Sequence, residues 1–162
     1  MLLILDLSYK NKTYYSLWDL TLVGPKRLIA HGSIKFNTPE VMYIFLKNNN
    51  VSEVVYENHY EMKSKNEYTY MRMYEKEIEI RTICDLLSIK CHQYASEKWK
   101  LFMFNKDINS ENLVKKDLFQ CLPMFGLENA KMLTVKDLLV INLGMFHMIF
   151  SNTEIKYKGK AL

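Results

Sequence analysis

Glycine and proline are scarce in this chain, five and three among 162 residues, which excludes a collagen-like, low-complexity or linker-rich protein. The three cysteines, Cys84, Cys91 and Cys121, are odd in number and form no CxxC pair. That excludes a disulfide scaffold and a paired cysteine–histidine zinc motif, and leaves reduced thiols in a cytosolic compartment as the expectation. The longest apolar stretch, Leu138 to Phe150, is too short to span a bilayer and contains Asn142 and His147. The opening residues carry no basic leader, and Asp6 interrupts their apolar run, which argues against a secretory signal. Charge of one sign is not in large excess either. A net charge of +4 and a pI near 8.8 suit a polyanionic partner without the density of a histone-like tail.

What is present is an ordinary globular composition, 49% hydrophobic and 25% charged. It predicts one compact domain over residues 1–162, with residues 151–162 as a short basic tail carrying Lys156, Lys158 and Lys160. Leu2 to Tyr9 and Thr13 to Val23 read as a hairpin across Lys10-Asn11-Lys12, and Arg27 to Phe36 follows as a third strand after Gly24-Pro25. Thr38-Pro39-Glu40 is a helix start, with a capping threonine and a proline in the first turn. Val51 to Glu57 reads as a buried strand, Glu67 to Leu87 as a helix and Ile89 to Tyr94 as a fifth strand. Short helices follow, the first from Ser96, the second capped by Asn109 or Ser110, and Glu128 to Phe150 reads as a long final helix. The expected architecture is α/β: a three-strand meander plus two further strands in a mixed five-stranded sheet flanked by helices.

Three acids lie where charge is expensive: Asp6 in LLILDLS, Glu57 ending VSEVVYE, and Asp137 in LTVKDLLVINLGMF. Carboxylates removed from water are paired, neutralised or bound to a cation. Taken singly, each has an ordinary reading, as an amide cap, a surface strand end or a partner for Lys136. Two strands and a helix can also bring all three to one rim. An all-oxygen donor set then points to Mg²⁺, with Mn²⁺ able to substitute, and to two-metal phosphodiester hydrolysis.

These segments carry a resemblance. The chain resembles the RuvC-type Holliday junction resolvases of the RNase H-like superfamily, and is most similar to their smaller, phage-encoded branch. LLILDLSYKNKTYYSLWD is similar to the first family strand and hairpin, and VVYENHY to the strand bearing the glutamate. The resemblance makes Asp6 and Glu57 metal ligands. YASEKWK ends at Lys100, the place of a functional lysine, and the LTVKDLL segment gives Asp137 as the second of two helical ligands three residues apart. The first of that pair is Thr134 here, a weaker donor without charge, which implies one ion held loosely or through water. Tyr60, three residues after Glu57, takes the place of an aromatic wedge at the junction centre, or is an ordinary loop tyrosine.

Lys63, Lys65, Arg72 and Lys76 follow as candidate phosphate contacts, or as a solvated helix face. Lys98, Lys100 and Lys106 gather after the fifth strand, with Lys115 and Lys116 beyond; a lysine near the metals would neutralise charge on the scissile phosphate. Lys106 or Lys115 could fill the place of a further family lysine. His31, His59, His92 and His147 show no ligand spacing, and His59, beside the glutamate, is the one that stands near the expected site.

The function so implied is a cytoplasmic, homodimeric, Mg²⁺-dependent endonuclease that nicks four-way junctions and other branched DNA, in the host cytoplasm for a phage-encoded enzyme. The helix from Glu67 is the candidate dimer face. The alternatives are a junction-binding protein with weak or lost cleavage, and an RNase H-like nuclease acting on another nucleic acid.

Overall fold

The computed structural model describes residues 1–8, 12–58, 67–104, 115–127 and 133–158. Five strands, β1 (Leu2–Asp6), β2 (Thr13–Trp18), β3 (Leu28–Ile34), β4 (Glu53–Asn58) and β5 (Lys90–Ala95), form one sheet in the order β3-β2-β1-β4-β5. The first three make the antiparallel meander; β1, β4 and β5 run parallel. The helices are α1 (Pro39–Asn48), α2 (Glu67–Leu86), α3 (Ser96–Phe104), α4 (Lys115–Phe119) and α5 (Val135–Lys158).

The central strand explains the layering. Leu2, Leu3, Ile4 and Leu5 are all fully buried, as expected for a strand covered on both faces. Side chains alternate along it: Leu2 and Ile4 join the core beneath α5, α4 and α3, whereas Leu3 and Leu5 join the core beneath α1 and α2. Each such side chain contributes roughly 1.5–3 kcal/mol of burial. The neighbouring β4 divides in the same way, with Val55 toward α5 and Val54 and Tyr56 toward α2. Glu53, Val55 and Glu57 therefore share the α5 face.

The long helix α5 is buried nearly all round from Val140 to Met148, the pattern of a helix enclosed by its neighbours. It crosses the sheet diagonally. Near its start the Val140 carbonyl accepts from Ser16 on β2, whose hydroxyl in turn accepts from Trp18 Nε1 at 2.8 Å. At Gly144 the helix backbone lies so close that a Cβ would sit 2.7 Å from Trp18 Nε1 and 3.1 Å from Ile4. Three turns on from its first residues, His147 reaches Tyr94 on β5.

Several element ends differ from the sequence reading. β2 stops at Trp18 instead of continuing to Val23, because Asp19 Oδ1 accepts from the Thr21 amide and hydroxyl and turns the chain. The final helix starts at Val135, not near Glu128, and runs on through Lys158, so much of the expected tail is helical. Thr38 caps α1 as expected, accepting from the Val41 amide. All three cysteines are free, and the neighbouring Cys91 thiol together with burial pushes the Cys84 thiol up from its ordinary value.

Candidate active site

Register places the first two acids side by side. β1 and β4 are parallel neighbours paired through Leu5 and Tyr56, so Asp6 and Glu57 occupy the next rung, at the carboxyl ends of both strands and on the α5 face. The carboxyl ends of parallel strands are where open α/β sheets bind ligands. Glu57 is held by α3: Trp99 Nε1 donates to Oε2 at 3.2 Å and the Lys100 ammonium to Oε1 at 3.3 Å. Lys100 also donates to the Ser96 hydroxyl and lies 5.3 Å from the Trp99 ring centre. Only 5% of its side chain is exposed, so this cation is fixed in the wall of the site. Asp6 instead meets Lys136 of α5, whose ammonium lies 2.7 Å from Oδ2. The Lys136 side chain is 52% exposed, a long stem free to withdraw into solvent.

The third acid enters at the start of α5. Asp137 Oδ2 accepts from the Thr134 amide at 3.0 Å and the Thr134 hydroxyl at 2.6 Å, while that hydroxyl accepts from the Asp137 amide at 3.1 Å. This reciprocal pattern is a capping box. Thr134 therefore stands outside the helix as its cap, with its carbonyl accepting from the Leu138 amide, and its oxygen is committed to Asp137. Thr134, expected from the sequence as a weak ligand on the helix face beside Asp137, is here the cap that holds the Asp137 carboxylate. Asp137 Oδ1 lies 3.3 Å from His31 Nδ1 on β3. Burial pushes the Asp137 carboxyl up, but the Thr134 hydroxyl and amide and the His31 imidazole outweigh it and hold the group below its ordinary value.

Asp6 and Glu57 thus share one rim, and Asp137 follows Lys136, the residue of α5 that reaches Asp6. Their donor set is all oxygen, which suits a hard cation such as Mg²⁺ or Mn²⁺. They do not form a closed cage, because each carboxylate is held by a partner of its own, Lys136, Lys100 or Thr134 with His31. Among the described residues the one group of three potential ligands with all donor atoms within 4.8 Å of one another is Glu53, His92 and His147. Sequence reading missed Trp99, His31 and the reach of Lys136 to Asp6; the T-x-x-D pattern at Thr134 was a readable sign of a cap.

Among the described residues the expected DNA contacts are dispersed. Arg72 pairs with Glu75 and Tyr68 on α2, and Lys76 with Glu79 and the Phe36 carbonyl; α2 covers the sheet face opposite α5. Lys98 lies 5.3 Å from the Phe150 ring centre, thirteen residues along α5 from Asp137, or about 20 Å of helix. Lys116 is exposed on α4. Tyr60, Lys63, Lys65, Lys106 and His59, and the side chain of Lys115, lie outside the described residues.

No family model matches the chain, and no curated protein matches it by sequence. Solved structures do. The chain is similar to "T. thermophilus RuvC in complex with Holliday junction substrate", with a TM-score of 0.71 over 95% of this chain and 97% of that one at 9% identity. A second structure of Thermus thermophilus RuvC gives 0.62 over 94% and 96%, also at 9% identity. The fold is RuvC-like. The mixed five-stranded sheet flanked by helices is the RNase H-like architecture expected from the sequence, and at this identity the likeness is one of fold.

Proposed function

We propose that residues 1–162 form one nuclease domain, a Mg²⁺-dependent endonuclease that nicks four-way junctions and related branched DNA by hydrolysis. The observation that carries this reading is the adjacency of Asp6 and Glu57 at the ends of parallel β1 and β4 in a RuvC-like fold; Asp137, in the first turn of α5 beside the Lys136 that reaches Asp6, would complete the rim. Asp6, Glu57 and Asp137 would hold the divalent cations. Such ions supply charge neutralisation and activation of a water for in-line attack on the phosphodiester.

The chain's own groups have separable tasks. Lys100, fixed against Glu57 and Trp99, orients that carboxylate and presents a positive charge toward the scissile phosphate. The amide end of α5 adds a partial positive charge at the same rim. Thr134 and His31 hold Asp137 ionised and in one orientation. Lys136 occupies Asp6 while no cation does, and its exposed stem lets it leave. A homodimer would present two such rims to one junction and double the charge available for phosphates. Tyr68, Met71 and Ile78 are exposed along α2, an apolar strip suited to that contact.

A second reading is favoured by one observation: every acid of the rim already has a partner, and Thr134 caps the helix instead of adding a ligand. It makes the chain a junction-binding protein with weak cleavage. Incubating synthetic four-way junction, duplex, flap and RNA–DNA hybrid with Mg²⁺ or Mn²⁺ separates the readings. The nuclease reading expects nicks on the junction; binding without cutting in either metal favours the second, and cutting confined to the hybrid removes both.

A further inference from the structure

The Glu53, His92 and His147 group lies apart from the acidic rim. Glu53 opens β4, four residues before Glu57, about 13 Å along an extended strand. His92 lies on β5, paired with Val55, and His147 on α5. Two imidazole nitrogens converge on one carboxylate oxygen: His92 Nε2 is 2.8 Å and His147 Nε2 3.0 Å from Glu53 Oε1. The two rings are 5.0 Å apart between centres. His147 is buried, and its Nδ1 lies 2.8 Å from the Tyr94 hydroxyl, which turns Nε2 toward the group. His92 Nε2 is itself buried and, despite its close approach to Glu53, makes no hydrogen bond among the described residues.

We propose that Glu53, His92 and His147 form a binding site for a divalent first-row transition metal, Zn²⁺ foremost, through two Nε2 atoms and one carboxylate oxygen. Imidazole nitrogen selects Zn²⁺ over Mg²⁺, and two histidines with one carboxylate are a recurrent three-ligand zinc set with an open fourth position. Donor atoms around a tetrahedral ion at 2.0–2.1 Å stand about 3.3 Å apart, so the two imidazole–carboxylate separations need to open by only a few tenths of an ångström, and all three donor atoms already lie within 4.8 Å of one another. Protons give a second argument. Without a cation, both imidazoles must donate from Nε2 to one oxygen, and the 2.8 Å approach of His92 Nε2 is not aligned as a hydrogen bond. A cation accepts both lone pairs and the carboxylate together.

The surroundings suit that exchange. The Tyr94 hydroxyl donates to His147 Nδ1 in one tautomer and accepts from it in the other, so it supports the ring with or without metal. The His92 side chain, 39% exposed, provides the entry side. Because the ligands come from β4, β5 and α5, a bound ion would pin the crossing helix to the sheet edge. The proposal stands independently of the nuclease reading.

The test is metal uptake by the full chain, measured as Zn²⁺ stoichiometry after dialysis and as visible absorption during Co²⁺ titration. The expected result is one Zn²⁺ per chain, a tetrahedral Co²⁺ spectrum that Zn²⁺ abolishes, and a thermal midpoint raised by Zn²⁺. His92→Ala and Glu53→Gln should each weaken Zn²⁺ binding at least tenfold while keeping a cooperative metal-free thermal transition, lowered in Glu53→Gln by the loss of its carboxylate; Asp6→Asn should leave uptake intact. His147 is avoided because it is buried. Absence of stoichiometric uptake by the parent overturns the proposal, as does uptake that survives both His92→Ala and Glu53→Gln or is lost in Asp6→Asn.

Discussion

The two ends of the contact between α5 and the sheet solve the same problem in opposite ways. At the acidic rim three carboxylates are each given a separate positive or hydrogen-bonding partner; at the Glu53 end a single carboxylate oxygen is shared by two imidazoles. In Glu53 the hydrogen bond from His147 leads, and with the charges of the histidines it outweighs burial to hold the carboxyl below its ordinary value. The difference is one of donor chemistry. An oxygen-rich group with a displaceable lysine suits hard, exchangeable ions, and nitrogen-rich groups suit ions held for long periods.

Breaking the acidic rim should have the largest effect. Asp6→Asn or Glu57→Gln is expected to lower junction cleavage by at least about 100-fold, since even outer partners of metal ligands are worth 10–100-fold, while junction affinity in metal-free buffer is retained. Electrophoretic mobility shift and single-turnover cleavage on the same preparations measure both. Unchanged cleavage by either variant removes that residue from the site.

Within the rim the two lysines should separate. Lys100→Met strands a partly buried carboxylate, and an expected loss of about 2 kcal/mol in urea unfolding falls below the figure for fully buried pairs because Glu57 retains some solvent. Thr134→Ala removes the helix cap, for about 1 kcal/mol, with Thr134→Ser restoring most of it. Lys136→Met should cost under about 1 kcal/mol, as exposed pairs do. It removes a competitor for Asp6, so the Mg²⁺ concentration for half-maximal cleavage should fall about two- to fivefold, the equivalent of 0.5–1 kcal/mol. An unchanged metal titration in Lys136→Met would mean that this lysine does not compete with the ion.

The smallest effect concerns pH. Asp137 and Glu53 both have lowered folded-state values. The stability they contribute is fully present above the ordinary carboxylate range, near about 4, and is lost as pH falls through the lower folded values. Thermal midpoints recorded down that range should drop less steeply for Glu53→Gln than for the parent; parallel curves would contradict the assignment.

Much of this was legible in the chain. The buried LLIL run, the hairpin and the Thr38-Pro39 start fixed the sheet and α1, because short-range alternation and caps set them. Asp6, Glu57 and Asp137 stood out in the sequence because charge inside apolar runs demands a reason, and the partners Lys136, Lys100 and Thr134 supply one for each. What escaped depends on long-range packing. His31 meets Asp137 across 106 residues and His147 meets Glu53 across 94, and no local spacing marks such pairs. The apolar Leu20, Leu22 and Val23 extended the apparent second strand, yet they are exposed beyond the Asp19 turn.

Cleavage of a four-way junction by the parent beside Asp6→Asn, in Mg²⁺ and in Mn²⁺, tests the central claim most directly. The account predicts metal-dependent nicks in the parent and none in the variant, with both proteins binding the junction equally. Equal cutting by the two, or binding by the parent without cutting in either metal, would contradict it.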